Sequence, residues 1–339
     1  MNIDENVVES IVKRVVSQLS TETASIQTCP SGGDWGVFES MNDAVDAAVA
    51  AQREYLNRSM HDRARYVQAI RDVVLDQENL EHISRLAVEE TGMGGYEYKL
   101  IKNRLAAVKT PGIEDLTTDA MSGDDGLTLV EYSPFGVIGS ITPTTNPTET
   151  IICNSIGMLA AGNAVVFSPH PRAKKVSLHL IQLINKALCK AGAPANLVAT
   201  VSAPSIENTN AMMSHPKIRM LVATGGPAIV KTVLSSGKKA IGAGAGNPPV
   251  VVDETADIEK AAKDIVDGCS FDNNLPCIAE KEAIAVDSVA DYLIFNMKKN
   301  GAYEVKDPAV ISQLVELVTK EGKSPKTEFV GKSAKYILD

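Results

Sequence analysis

No two cysteines in this chain are spaced to hold a metal. The five present, Cys29, Cys153, Cys189, Cys269 and Cys277, are an odd number without a CxxC pair or a His/Cys ligand pattern. That argues against a zinc site and a disulfide framework, and for a reducing, cytoplasmic compartment. An export signal is also missing, since MNIDENVVES is acidic where a signal would be basic. Long apolar runs are scarce: the longest such region, 151–167, is broken by Asn154, Gly157, Gly162 and Asn163, so no membrane span is expected. Positive charge is in deficit, with 33 Lys and Arg against 42 Asp and Glu. A net charge of -9 disfavours a nucleic-acid footprint, although Arg172, Lys174 and Lys175 form a local basic patch.

What is present suits a globular chain of about two domains, because 339 residues at 44% hydrophobic content can bury a substantial core. Residues 3–19 place Ile3, Val7, Val8, Ile11, Val12, Val15, Val16 and Leu19 at helical spacing, which predicts an amphipathic helix within 1–20. The Ser/Thr/Gly-rich stretch over 21–34 reads as a flexible linker. Helical patterns then run to about residue 109, opened by a capping signal at Ser40 and Asp43. From about residue 127 the texture changes. Strands are expected over 127–133, 136–142, 164–167, 197–201 and 218–223, with helices over 148–161, 173–190, 206–213 and 227–235. This alternation predicts a parallel sheet with crossover helices, whose ligands sit at the carboxyl ends of the strands.

Four loops hold candidate chemistry. TGGPAIV places Gly225 and Gly226 before a helix, where backbone N–H groups suit an anion or the glycines simply form a tight turn. No GxGxxG fingerprint accompanies them. In GSITPTTNPTET, Thr142, Pro143, Thr144, Thr145 and Asn146 form a turn that can host an oxyanion, or Asn146 can cap locally. IGAGAGNPPVVVDETAD alternates glycines as a close-packing wall for a ligand or as a hinge. SFDNNLPCIAEK sets Cys277 in a turn, either as a small buried hydrophobe or as a nucleophile.

Taken in order, EYSPFGVIGSITPTTNPTETII, AAGNAVVFSPHPRAKKVS, ATGGPAIVK, GAGAGNPPVVVDETAD and FDNNLPCIAEK resemble the CoA-acylating branch of the aldehyde dehydrogenase superfamily, from about residue 34 to the end. They are most similar to the propionaldehyde dehydrogenases of bacterial microcompartments, with the ethanolamine-type acetaldehyde dehydrogenases as close kin. The resemblance implies an α/β, aldehyde dehydrogenase-like fold. A Rossmann-type NAD-binding domain would span 35–241, with a strand near 127–133 belonging to an oligomerisation element. A catalytic domain would span 242–339. It implies Cys277 as the thiol that adds to the aldehyde and becomes a thioester, with Asn146, or Thr145 beside it, and the Cys277 N–H holding the oxyanion. NAD contacts would come from Thr142, Pro143, Thr144, Ser168, Pro169, His170, Gly225, Gly226, Gly242 and Ala243. Coenzyme A would be the co-substrate. Cys153, Cys189 and Cys269 are expected to be core thiols.

Departures from the hydrolytic relatives sharpen this. Counting back from Pro248 to the general-base glutamate position reaches Gly242, so no carboxylate activates water and the acyl group is left for a thiol. Ser168 stands where relatives often carry a ribose-gripping lysine. Val230 replaces a second glycine. Members of this family usually run on beyond VGKSAKYILD, with a segment that completes the catalytic domain, supplies a carboxylate at the nicotinamide ribose and pairs subunits. The chain is therefore expected to be C-terminally incomplete, and a catalytically incompetent nucleotide-binding fragment is the competing expectation. The 1–20 helix resembles encapsulation peptides, implying shell-protein partners and a location in the microcompartment lumen. A homo-oligomer is expected for the full-length protein.

Overall fold

The computed structural model describes residues 35–339; the 1–20 helix and the 21–34 linker lie outside the described residues. Strand β1 (Val37–Phe38) leads into α1 (Met41–Tyr55), whose N-cap Ser40 accepts a bond from the Asp43 N–H at 3.2 Å. Then come α2 (Met60–Leu75), opened by a reciprocal capping box between Ser59 and Asp62, and α3 (Gln77–Thr91), ended by Gly92 at φ 66°. Helix α4 (Tyr96–Lys109) follows. Each cap satisfies backbone groups that the helix itself leaves open.

A hairpin of β2 (Asp119–Gly123) and β3 (Gly126–Val130) then precedes β4 (Val137–Ile141), α5 (Pro147–Ala160), β5 (Ala164–Ser168) and α6 (Lys174–Lys190). The chain continues through β6 (Val198–Val201), α7 (Ile206–Ser214), β7 (Ile218–Thr224), α8 (Pro227–Leu234) and β8 (Lys239–Ala243). Strands β1-β6-β5-β4-β7-β8 form one sheet, with every pairing parallel. All five residues of β4 and of β5 are buried, because helices cover both faces. The strand order reverses at β4, which has β5 on one side and β7 on the other. The crevice outside the carboxyl ends of β4 and β7 is therefore where such a sheet takes a ligand.

A smaller body follows, in which β9 (Pro249–Val252) pairs in parallel with β10 (Glu282–Ala285). Helices α9 (Ile258–Ser270) and α10 (Asp287–Lys299) pack on it through Val252, Ala262, Ile265 and Leu293. The domain boundary expected between residues 241 and 242 falls inside β8, whose ladder with β7 continues to Thr224↔Ala243. That strand pairing carries the first body through Ala243. Helix α11 (Pro308–Val318), a short antiparallel pair of β11 (Thr319–Lys320) and β12 (Ser324–Pro325), and α12 (Ala334–Leu338) follow.

Candidate active site

Cys277 lies on the loop between α9 and β10 and is exposed. The loop begins with three consecutive residues in the left-handed region, Asp272, Asn273 and Asn274, at φ 51°, 56° and 55°. Asp and Asn are the non-glycine residues that tolerate this conformation best, which explains the DNN run. Asn274 Nδ2 donates to the Cys269 carbonyl at 2.7 Å and to the Glu280 carbonyl at 3.1 Å, tying the two ends of the loop together. Asn273 Nδ2 donates to the Gly331 carbonyl at 3.0 Å, and Lys281 Nζ to the Ala279 carbonyl at 2.9 Å. Leu275 and Ala279 are buried, whereas Cys277 and Ile278 face outward. Among the described residues the Cys277 N–H has no backbone acceptor.

The other thiols are less suited to attack. Burial pushes the Cys153 thiol up, while it accepts a bond from Thr110 Oγ1 at 3.0 Å; burial and then Glu280 push up Cys269. Cys189, on α6, is disulfide-bonded and so is not the free thiol expected there.

The glycine wall meets the cysteine at one point. A Cβ on Gly246 would lie 2.5 Å from the Cys277 carbonyl oxygen, so only glycine lets the two backbones come this close.

Asn146 is the N-cap residue of α5, but its side chain makes no cap bond. Its Oδ1 accepts from Lys102 Nζ at 2.6 Å and its Nδ2 donates to Thr145 Oγ1 at 3.2 Å. Local capping therefore does not account for this asparagine. Beneath it lies a cluster absent from the sequence-based expectations: Lys99, Lys102, Glu149 and Asp272. Lys102 Nζ is 2.6 Å from Asp272 Oδ2 and 3.1 Å from Glu149 Oε1, and Lys99 Nζ is 3.4 Å from Asp272 Oδ2. Asp272 is fully buried, and its Oδ1 accepts from the Gly95 N–H at 2.8 Å. Two cations face two anions, which is how charge survives burial. Burial pushes Glu149 up, but Lys99 and Lys102 outweigh it and hold the carboxyl below its usual range. Burial pulls Lys99 down, whereas Glu149 and Asp272 overcome burial at Lys102 and raise it.

The expected nucleotide residues divide by place. Thr142, Pro143 and Thr144 follow β4, and Thr142 Oγ1 is buried with no hydrogen-bond partner. Gly226 is the N-cap of α8, and a Cβ there would meet nothing within 4 Å. An orphaned hydroxyl and an open helix N-terminus at the switch of strand order fit a nicotinamide dinucleotide. Gly225 donates to the Ala243 carbonyl at 3.0 Å, and a Cβ on it would lie 2.9 Å from Ile229 Cγ2, so it is needed for packing. The Ser168 hydroxyl is buried against Thr209 Oγ1 at 2.8 Å; Pro169 is buried, and His170 Nδ1 accepts from the Arg172 N–H at 3.1 Å. Gly242 and Ala243 sit on edge strand β8, where a Cβ on Gly242 would come 2.7 Å from Val230 Cγ1.

The model for the aldehyde dehydrogenase family matches residues 35–311. The chain belongs to the aldehyde dehydrogenase family. Within this family, a propanal dehydrogenase (CoA-propanoylating) of Salmonella typhimurium is 49% identical over 339 residues, covering 100% of this chain and 71% of the relative. A crystal structure of Rhodopseudomonas palustris propionaldehyde dehydrogenase, with bound CoA and an acylated cysteine, matches with TM-score 0.86 and 75% identity over 91% of this chain and 70% of that one. A propionaldehyde dehydrogenase from the Clostridium phytofermentans fucose utilisation bacterial microcompartment matches with TM-score 0.84 and 53% identity over 90% of this chain and 69% of that one. Among the described residues no helix is long and apolar enough to cross a membrane, and no group of His, Cys, Asp and Glu is placed to hold a metal.

Proposed function

We propose that this aldehyde dehydrogenase is CoA-acylating, converting propionaldehyde, NAD and coenzyme A to propionyl-CoA and NADH through a thioester on Cys277. The observation that carries this reading is the loop itself: its asparagines are bound inward, while the Cys277 thiol and backbone N–H are left open. The acylated cysteine and bound CoA of the Rhodopseudomonas relative support it.

The Cys277 thiol gives its proton to solvent, its sulfur adds to the aldehyde carbon, and the carbonyl electron pair moves to oxygen. The Cys277 N–H and Asn146 Nδ2 hold that oxyanion. When bound, the nucleotide would supply a nicotinamide to accept the hydride from this carbon, leaving the acyl group as the Cys277 thioester. Thr142, Pro143, Thr144 and the Gly225–Gly226 turn would hold the nucleotide, with Ser168, Pro169, His170, Gly242 and Ala243 shaping the surrounding walls. Coenzyme A then gives its thiol proton to solvent, its sulfur adds to the thioester carbonyl, and Cys277 leaves as thiolate. Gly242 puts no carboxylate near the thioester, which favours the thiol over water.

Propionaldehyde and acetaldehyde differ by one methylene, worth about 1–3 kcal/mol in an apolar pocket, so a graded preference is expected. Residence in a microcompartment lumen, shell docking through residues 1–20 and homo-oligomerisation belong to the same proposal. Shell co-purification with and without residues 1–20 tests the docking.

The deciding assay follows NADH absorbance with propionaldehyde and NAD, with and without coenzyme A. Sustained turnover should require coenzyme A and vanish in Cys277→Ala. NADH formation that ignores either one would overturn the acylating mechanism; none at all would favour a catalytically incompetent nucleotide-binding fragment.

A further inference from the structure

Lys102 is buried, charged and in contact with both halves of the site, yet the reaction as derived does not use it. Its ammonium group is 2.6 Å from Asn146 Oδ1, 2.6 Å from Asp272 Oδ2 and 3.1 Å from Glu149 Oε1. A lysine can only donate, so the amide must turn its oxygen toward Lys102 and its nitrogen away. One Nδ2–H is taken by Thr145 Oγ1 at 3.2 Å, which leaves the other for a reacting oxygen. Lys99, one turn earlier on the same face of α4, donates to the Thr145 carbonyl at 2.9 Å and fixes the backbone of the same turn. On the other side, Asp272 is the first residue of the left-handed run that leads to Cys277, and Gly95 at the start of α4 donates to its second oxygen.

We propose that Lys102 is a positioning residue that fixes the Asn146 amide as an oxyanion donor and, through Asp272, ties that donor to the Cys277 loop. The proposal rests on the Asn146 role given above. The clamp is a cation because a neutral donor would leave two carboxylates, Glu149 and Asp272, against the single cation Lys99 in the interior. It acts on geometry: the amide stays committed to one of its two flip states before substrate arrives, and preorganised donors need no rearrangement when charge develops.

The test uses this chain and the burst of p-nitrophenolate released when Cys277 is acylated by p-nitrophenyl propionate. That step builds an oxyanion, forms the Cys277 thioester and expels the phenolate, without NAD or coenzyme A. Alkylation of Cys277 by iodoacetamide develops no oxyanion and serves as control. Asn146→Ala should slow acylation by about 10²-fold, the usual cost of one oxyanion donor. Lys102→Met should slow it by about tenfold or more while leaving alkylation within about twofold, and should add nothing in the Asn146→Ala background. Should Lys102→Met fail to fold, Lys102→Met with Asp272→Asn keeps one cation against one anion and serves in its place. Independent, multiplying losses overturn the proposal, as does an equal loss of acylation and alkylation, which would make Lys102 merely structural. Unimpaired acylation in Asn146→Ala would instead refute the Asn146 role itself.

Discussion

Gly246 and Gly244 sit two residues apart in the same glycine run, yet their surroundings differ. A Cβ on Gly246 would strike the Cys277 carbonyl oxygen at 2.5 Å, and backbone cannot swing aside as a long side chain can. A Cβ on Gly244 would meet nothing within 4 Å. Gly246→Ala should therefore displace the Cys277 loop, slow Cys277 alkylation and cost about 1–3 kcal/mol, the usual range for overpacking. Gly244→Ala should lie within about 0.5 kcal/mol of the parent. Urea unfolding and iodoacetamide kinetics on the pair check both, and equal behaviour would show that the close approach does not matter. The glycine run was legible in the sequence as a wall, but which glycine faces the cysteine was not. That depends on how a loop before β9 meets a loop before β10, which local pattern does not encode. Cys277 stood out because turn residues crowd around it, and it is exposed rather than a small buried hydrophobe, while its role as nucleophile rests on the family resemblance. Asn146 was legible as a candidate only, since an N-cap asparagine ordinarily bonds its own helix and this one bonds Lys102 instead.

Helix α4 gives the clearest case of an element whose face misleads. Lys99 and Lys102 stand three residues apart on a helix rich in polar side chains, which reads as a solvated face. Both are in fact buried, because α4 packs against the start of α5 and the Cys277 loop, which bring Glu149 and Asp272 to it. The partners are remote in the chain, so no helical period reveals them. Strands β4 to β7 of the main sheet, by contrast, were legible almost residue by residue, since continuous apolar runs between Gly and Asn turns are a local signal, whereas the two-residue β1 and the glycine-bearing edge strand β8 were not expected. The ion cluster also sets a pH dependence. Burial raises Glu149 and the two lysines more than reverse this, so its folded value lies below the ordinary 4.5. A depressed carboxyl contributes stability that is complete above that ordinary value and is lost as pH falls through the folded one. Glu149→Gln should cost about 3–5 kcal/mol at pH 7, the range for removing one partner of a buried pair. The two unfolding midpoints should converge as pH falls below 4.5. Curves that stay parallel down to pH 3 would show that Glu149 gains nothing from the lysines.

At the scale of the molecule, the β2–β3 hairpin stands apart from both bodies. All ten of its residues are exposed, and its register places Leu127 opposite Ser122 and Leu129 opposite Ala120. Residues two apart on a strand point to one face, so Leu127 and Leu129, 67% and 60% exposed, lie together on one side of the ribbon. An isolated two-stranded ribbon is marginal in water, and an apolar face on it gains stability only when something covers it. A second copy of the chain would satisfy this requirement, so the hairpin puts the oligomerisation element expected near 127–133 to the test. The strand itself ends at Val130, before the Glu131–Pro134 stretch. Sedimentation velocity should show concentration-dependent association that Leu127→Glu with Leu129→Glu shifts toward monomer. The folded core should be untouched, since neither side chain belongs to it, and far-UV circular dichroism should overlay that of the parent. A parent chain that sediments as a monomer at every concentration, or a variant that associates equally well, would remove the hairpin from the assembly.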